Sequence, residues 1–129
     1  MPYARISLHK GRSAEWLSAL SRSLQQSLEE TFEVPPHDCF QVIHQCAPGE
    51  LVYDPQYFGG PRSEGFVLIH ITAGRVRTTQ RKQAFYARLV ARLVDSPGVR
   101  PEDVMVIIST TAEEDWSFSM GRAQMLERR

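Results

Sequence analysis

The 129-residue sequence has no excess of either charge: Lys plus Arg number 15, Asp plus Glu number 15, and the net charge is zero. That excludes a nucleic-acid binder relying on bulk positive charge. Lysine is scarce. All but two of the fifteen cations are arginine, whose planar guanidinium favours carboxylate and phosphate ligands. Only two cysteines occur, Cys39 and Cys46. On one extended strand they would lie ~23 Å apart at ~3.3 Å per residue, too far for a mutual disulfide, so both are expected to be reduced thiols. The histidines (His9, His37, His44, His70) and cysteines lack zinc-ligand spacing, and no metal or other cofactor is expected. No apolar run is long enough to span a membrane. No basic-then-apolar leader precedes the first strand pattern, so a cytoplasmic location is expected. A glycine-rich phosphate loop and a GxSxG nucleophile elbow are also missing; Gly59-Gly60-Pro61 lacks the phosphate-loop spacing.

What is present is ordinary for one soluble domain: hydrophobic residues are 42% and charged residues 23%. Residues 2–8 alternate as a strand. Ser13 is a good N-cap, with Glu15 in the first turn. Trp16, Leu17, Leu20, Leu24 and Leu28 then follow at helical spacing, and Phe32 continues the stripe. Val34-Pro35-Pro36 stops this helix, because proline disfavours a helical residue before it. Residues 38–45 alternate as a second strand. Residues 47–65, rich in proline and glycine, form a connection long enough to suggest a functional loop. Residues 66–72 are nearly continuously apolar, which marks a central strand. Thr78 or Thr79 caps a second helix with the stripe Phe85, Tyr86, Leu89, Val90, Leu93 and Val94. Residues 95–98 stop it, residues 104–109 form a fourth strand, and the rest reads as an irregular tail. The expectation is a single α+β domain over residues 1–129, made of two β-α-β units (1–46 and 66–110) and a tail (111–129). Four strands form one mixed sheet with both helices on one face. The other face needs a cover, and further copies of the chain are the economical one.

Three stretches carry chemistry. Met1 followed by the small residue Pro2 is a signal for removal of the initiator methionine. Removal turns Pro2 into a free secondary amine, and α-amino groups titrate at about 7.7–8.0 against about 10.4 for lysine. Arg75 and Arg77 fall between a central strand and a helix. Two apart on an extended segment they point the same way, beside the positive end of the helix, and together they can clamp a carboxylate. Asp38 takes the corresponding place in the first half, where a carboxylate can balance the amine or orient a proton. Trp116 and Phe118 can wall an apolar pocket, although a core-packing aromatic pair reads equally well.

These residues resemble the tautomerase superfamily, and within it the malonate semialdehyde decarboxylases. The resemblance covers nearly the whole chain. It is carried by Met1-Pro2, by Val34-Pro35 through Asp38 with Phe40-Gln41-Val42, and by Arg62-Ser63. Arg75-Val76-Arg77-Thr78 with Lys82 and Ala84-Phe85-Tyr86 continue it. Asp115-Trp116-Ser117-Phe118 with Gly121-Arg122-Ala123-Gln124 is its most specific part. Val76 stands where those decarboxylases have proline, and Cys39 where they have arginine. The resemblance implies catalytic roles for Pro2, Asp38, Arg75 and Arg77, with Arg75, Arg77, Trp116 and Phe118 binding substrate. It also implies a homotrimer, a small carboxylate-bearing substrate and no cofactor. The implied reaction is decarboxylation of a small 3-oxo acid to an aldehyde and carbon dioxide. Keto–enol tautomerisation or hydration of related acids uses the same residues. A non-catalytic oligomeric binding domain uses only the scaffold.

Overall fold

Alternation along the first strand decides which side of the sheet is buried. In β1 (Pro2–His9), Pro2, Ala4, Ile6 and Leu8 are buried, and the residues between them face the other way. The computed structural model describes residues 1–127; Arg128 and Arg129, the end of the expected tail, lie outside the described residues. The other strands are β2 (Gln41–Cys46), β3 (Val67–Ala73) and β4 (Val104–Thr110). They are ordered β2-β1-β3-β4. β1 runs antiparallel to β3, in a register from Pro2 opposite Ala73 to Leu8 opposite Val67. The outer pairs, β1 with β2 and β3 with β4, are parallel. Each half of the chain is thus strand-helix-strand, as the sequence pattern implies, and the structure joins the halves through the antiparallel central pair.

Two helices cover the buried face. In α1 (Ala14–Phe32), Ser13 caps the start by accepting from the Trp16 N–H at 3.1 Å. Leu20, Leu24, Leu28 and Phe32, four apart, form one buried ridge. The helix ends at Glu33, whose φ of 55° is left-handed, just ahead of Val34-Pro35. In α2 (Thr79–Asp95) the cap is Thr78, and Phe85, Leu89 and Leu93 point inward. Phe32 and Phe85 join the helices with ring centres 5.0 Å apart. These side chains meet Ile6, Leu8, Val67, Ile69 and Ile71 in one core. Each large one contributes about 1.5–3 kcal/mol by leaving water. Among the described residues, no helix is long and apolar enough to cross a membrane.

The structure moves some expected boundaries. β2 starts at Gln41, not Asp38. The chain first turns, with the Asp38 N–H donating to the Pro35 carbonyl at 3.0 Å, and Phe40 then joins β1 through its carbonyl. The tail is not wholly irregular: it has a 3-10 turn (Glu113–Asp115) and a short helix α3 (Gln124–Glu127). The long loop is pinned. Asp103, almost fully buried, accepts from the Ser63 N–H at 2.7 Å and its hydroxyl at 2.6 Å. The sheet face away from the helices exposes Val42, Met105 and Ile107, with Phe40 beside them.

Candidate active site

The topology gathers chemistry at one end of the sheet. β1 and β2 start there, and β3 and β4 finish there. One backbone bond continues the central ladder past its last pair, from the Gly74 N–H to the Met1 carbonyl at 2.9 Å. Thr111 closes the other side, its N–H and hydroxyl donating to the Ala73 carbonyl at 2.9 and 3.0 Å. The result is a pocket of about 230 Å³ lined by Met1, Val34, Pro35, Asp38, Gly74, Arg75, Arg77 and Met125, among others. It is smaller than the roughly 300–1,000 Å³ usual for ligand sites, with Met1 forming part of its wall. The α-ammonium of Met1 lies 2.7 Å from Asp38 Oδ2, and both residues are largely shielded from water. Pro2 is buried immediately behind it. With Met1 attached, the Pro2 nitrogen is an amide nitrogen and has no basicity.

Arg75 and Arg77 both line this pocket, but they differ in burial and in partners. The backbone bends after Gly74, so the two-residue period of a strand no longer applies. Arg75 is exposed, and its guanidinium makes no hydrogen bond or ion pair with the described residues. Arg77 is buried. It donates to the Phe32 carbonyl at 3.2 Å and the Arg75 carbonyl at 3.0 Å, and lies 4.9 Å from the Phe32 ring centre. Burial, then the charges of Arg75 and Arg81, pull its pKa down; Asp38 and Glu33 pull it back up. The pocket thus has one buried, hydrogen-bonded guanidinium and one exposed one, together with the carboxylate that holds the amino terminus, Asp38; Glu33, paired with Arg81, and Glu113 also line it.

Trp116 and Phe118 stack on each other with ring centres 5.7 Å apart, and Phe118 lies 6.1 Å from Phe40. The Trp116 indole N–H donates to Thr111 Oγ1 at 2.6 Å. The pair therefore stands beside the pocket and does not line it within one chain; Val34, Pro35 and Met125 supply its apolar surface. Pro2, Asp38, Arg75 and Arg77 are brought together, and Trp116 and Phe118 are not. Sequence reasoning passed over Gly74, whose only signal was its place just before Arg75. A larger cavity, about 840 Å³, lies at the opposite end of the sheet, between His9, Cys46 and the loop residues Tyr53 and Glu64.

This fold, with an amino terminus set among a carboxylate and two arginines, is that of the tautomerases, and the chain belongs to that family. One family model, described as a tautomerase enzyme, matches residues 38–119, and a second, described the same way, matches residues 2–60. The chain is a tautomerase-superfamily enzyme. It is 44% identical over 127 residues to the probable tautomerase YusQ of Bacillus subtilis (strain 168), covering 98% of this chain and 100% of that protein. The probable tautomerase YrdN of the same organism is 31% identical over 126 residues, covering 98% and 97%. Among solved structures, a malonate semialdehyde decarboxylase superposes with a TM-score of 0.91 at 31% identity, covering 97% of this chain and 96% of that one. A fused 4-OT symmetric trimer shares the fold at a TM-score of 0.79 and 16% identity, covering 98% and 99%.

Proposed function

We propose that the chain loses Met1 and uses the Pro2 amine to decarboxylate a small 3-oxo acid such as malonate semialdehyde, giving an aldehyde and carbon dioxide. The observation that carries this reading is the amino terminus held against Asp38 in a small pocket shared with Arg75 and Arg77. The guanidinium groups bind the substrate carboxylate and hold it out of the carbonyl plane. Pro2 then supplies the electron sink, as an acid on the aldehyde oxygen or as a nucleophile forming an iminium. Asp38, freed from the Met1 ammonium, balances the charge on the amine. Likeness to a malonate semialdehyde decarboxylase over nearly the whole chain supports the reaction class.

The names of the two bacterial relatives favour a second reading, keto–enol tautomerisation of a 2-oxo acid, with Pro2 as a neutral base. Both readings share a homotrimer. The exposed apolar side chains Val42, Met105 and Ile107 lie on the sheet face away from the helices, where neighbouring copies would cover them. Trp116 and Phe118 then close substrate pockets within the assembly.

Steady-state assays on the processed chain separate the readings. Decarboxylation of malonate semialdehyde is expected to exceed ketonisation of phenylpyruvate enol in kcat/KM, and the reverse order reassigns the enzyme as a tautomerase. Pro2→Ala is expected to abolish both reactions. Full activity in that variant removes both readings.

A further inference from the structure

The Met1–Pro2 peptide shows what a carbon bonded to the Pro2 nitrogen meets in this pocket. The Met1 carbonyl carbon is such a carbon, and its oxygen accepts from the Gly74 N–H at 2.9 Å. Two branches leave the next atom, Met1 Cα. The amine branch ends 2.7 Å from Asp38 Oδ2, a place that repels a carboxylate. The side-chain branch runs against Gly74. A β-carbon on Gly74 would sit 2.5 Å from Met1 Cε, 3.0 Å from Met1 Cβ and 3.2 Å from the Met1 oxygen. Gly74 is not among the glycines with positive φ. Its backbone conformation therefore does not demand glycine; what a side chain there would do is enter the room that Met1 occupies beside the amino terminus.

We infer that in the processed chain the Gly74 N–H is the donor that receives the substrate's carbonyl oxygen, and that its missing side chain makes room for the substrate's carbon skeleton. The inference rests on the proposed function and selects the nucleophilic route within it. The neutral Pro2 amine adds to the aldehyde carbon: a C–N bond forms, and the C=O π pair moves to the oxygen. That oxygen accepts from the Gly74 N–H and takes the proton released by the nitrogen. With a second proton it leaves as water, giving the iminium. The bond to the carboxylate carbon then breaks, its electron pair neutralises the iminium as an enamine, and carbon dioxide departs. The enamine takes a proton on carbon, and water hydrolyses the resulting iminium to release the aldehyde and regenerate the amine. In this placement the carboxylate follows the side-chain branch past Gly74 toward Arg75.

The test is borohydride capture of malonate semialdehyde on the processed chain, followed by intact mass, with turnover measured in parallel. In one variant, made by semisynthesis, glycolic acid replaces Gly74, exchanging the N–H for an oxygen and nothing else. Adduct formation is expected to slow by roughly a hundredfold, the scale for losing one oxyanion donor. If the ester chain does not fold, Gly74→Ala serves. It keeps the donor and fills the room, and KM is expected to rise by roughly tenfold with a smaller change in kcat. Equal capture by wild type and ester, or a wild-type KM in Gly74→Ala, overturns the inference and leaves the proposed function standing. Turnover by the wild type without any adduct does the same. Neither turnover nor adduct in the wild type overturns the proposed function as well.

Discussion

Arg77→Ala is expected to cost both stability and activity, while Arg75→Ala costs activity alone. The Arg77 guanidinium donates to the carbonyls of Phe32 and Arg75 and lies 4.9 Å from the Phe32 ring centre. Removing it leaves the carbonyl at the end of α1 without its buried donor, at about 1–3 kcal/mol. It also forfeits a cation–π contact of about 0.5–2 kcal/mol. Arg75 and Arg81 repel Arg77 in the folded chain, and relief of that repulsion offsets part of the loss. The net destabilisation is about 2 kcal/mol. Arg75 is exposed and makes no such contacts, so its removal stays within about 0.5 kcal/mol. On activity, losing one charge-assisted hydrogen bond to a carboxylate forfeits about 1.5–3 kcal/mol. At about 1.36 kcal/mol per factor of ten, that is roughly 10–150-fold in kcat/KM for either variant. Urea unfolding reads the first quantity, and steady-state kinetics of the processed chain read the second. An Arg77→Ala chain as stable as the wild type, or an Arg75→Ala enzyme with unchanged kcat/KM, refutes the reasoning.

Asp103→Ala is expected to lower stability by about 2–3 kcal/mol, because it leaves the Ser63 N–H and hydroxyl without their buried acceptor. An unchanged melting temperature contradicts this. Burial, then the charges of Asp38 and Glu29, hold the Cys39 thiol above its ordinary pKa. Iodoacetamide at pH 8 should therefore modify it more slowly than a free thiol, and Asp38→Asn should speed the reaction. Since the folded-state value is the higher one, this thiol's contribution to stability is complete below the unfolded value of about 8.5 and fades as pH rises through the folded value. Sedimentation of the wild type should give three times the chain mass, and Ile107→Asp on the exposed sheet face should give single chains. Trimers that survive that substitution place the interface elsewhere.

Local pattern carried most of the fold. Ser13 as cap, the four-residue spacing from Leu20 to Phe32, and Pro35 after the helix are short-range signals, and α1 follows them within a residue. The alternation in β1 agrees with its burial, whereas β3 reads as continuously apolar and only the structure shows that Val67, Ile69, Ile71 and Ala73 face the helices. What the pattern missed has both local and distant causes. Asp38 to Phe40 alternate like a strand, but the turn closed on the Pro35 carbonyl takes them out of it. The anchoring of Arg77 was not legible, because its partner is the carbonyl of Phe32, 45 residues earlier. No spacing rule connects those two positions. α3 covers four residues, too few to show a helical period. Candidate site residues at strand ends were legible because the topology brings those ends together. Gly74 was not, since its importance lies in the absence of a side chain against Met1.

The central claim is that chemistry begins only when the Pro2 nitrogen is a free amine beside Asp38. Intact mass and amino-terminal peptide mapping of the chain, isolated without any added tag and assayed from the same sample, test it most directly. The account predicts active preparations that begin at Pro2, with turnover in proportion to the processed fraction. A preparation carrying Met1 on every chain and still turning over substrate at full rate contradicts it.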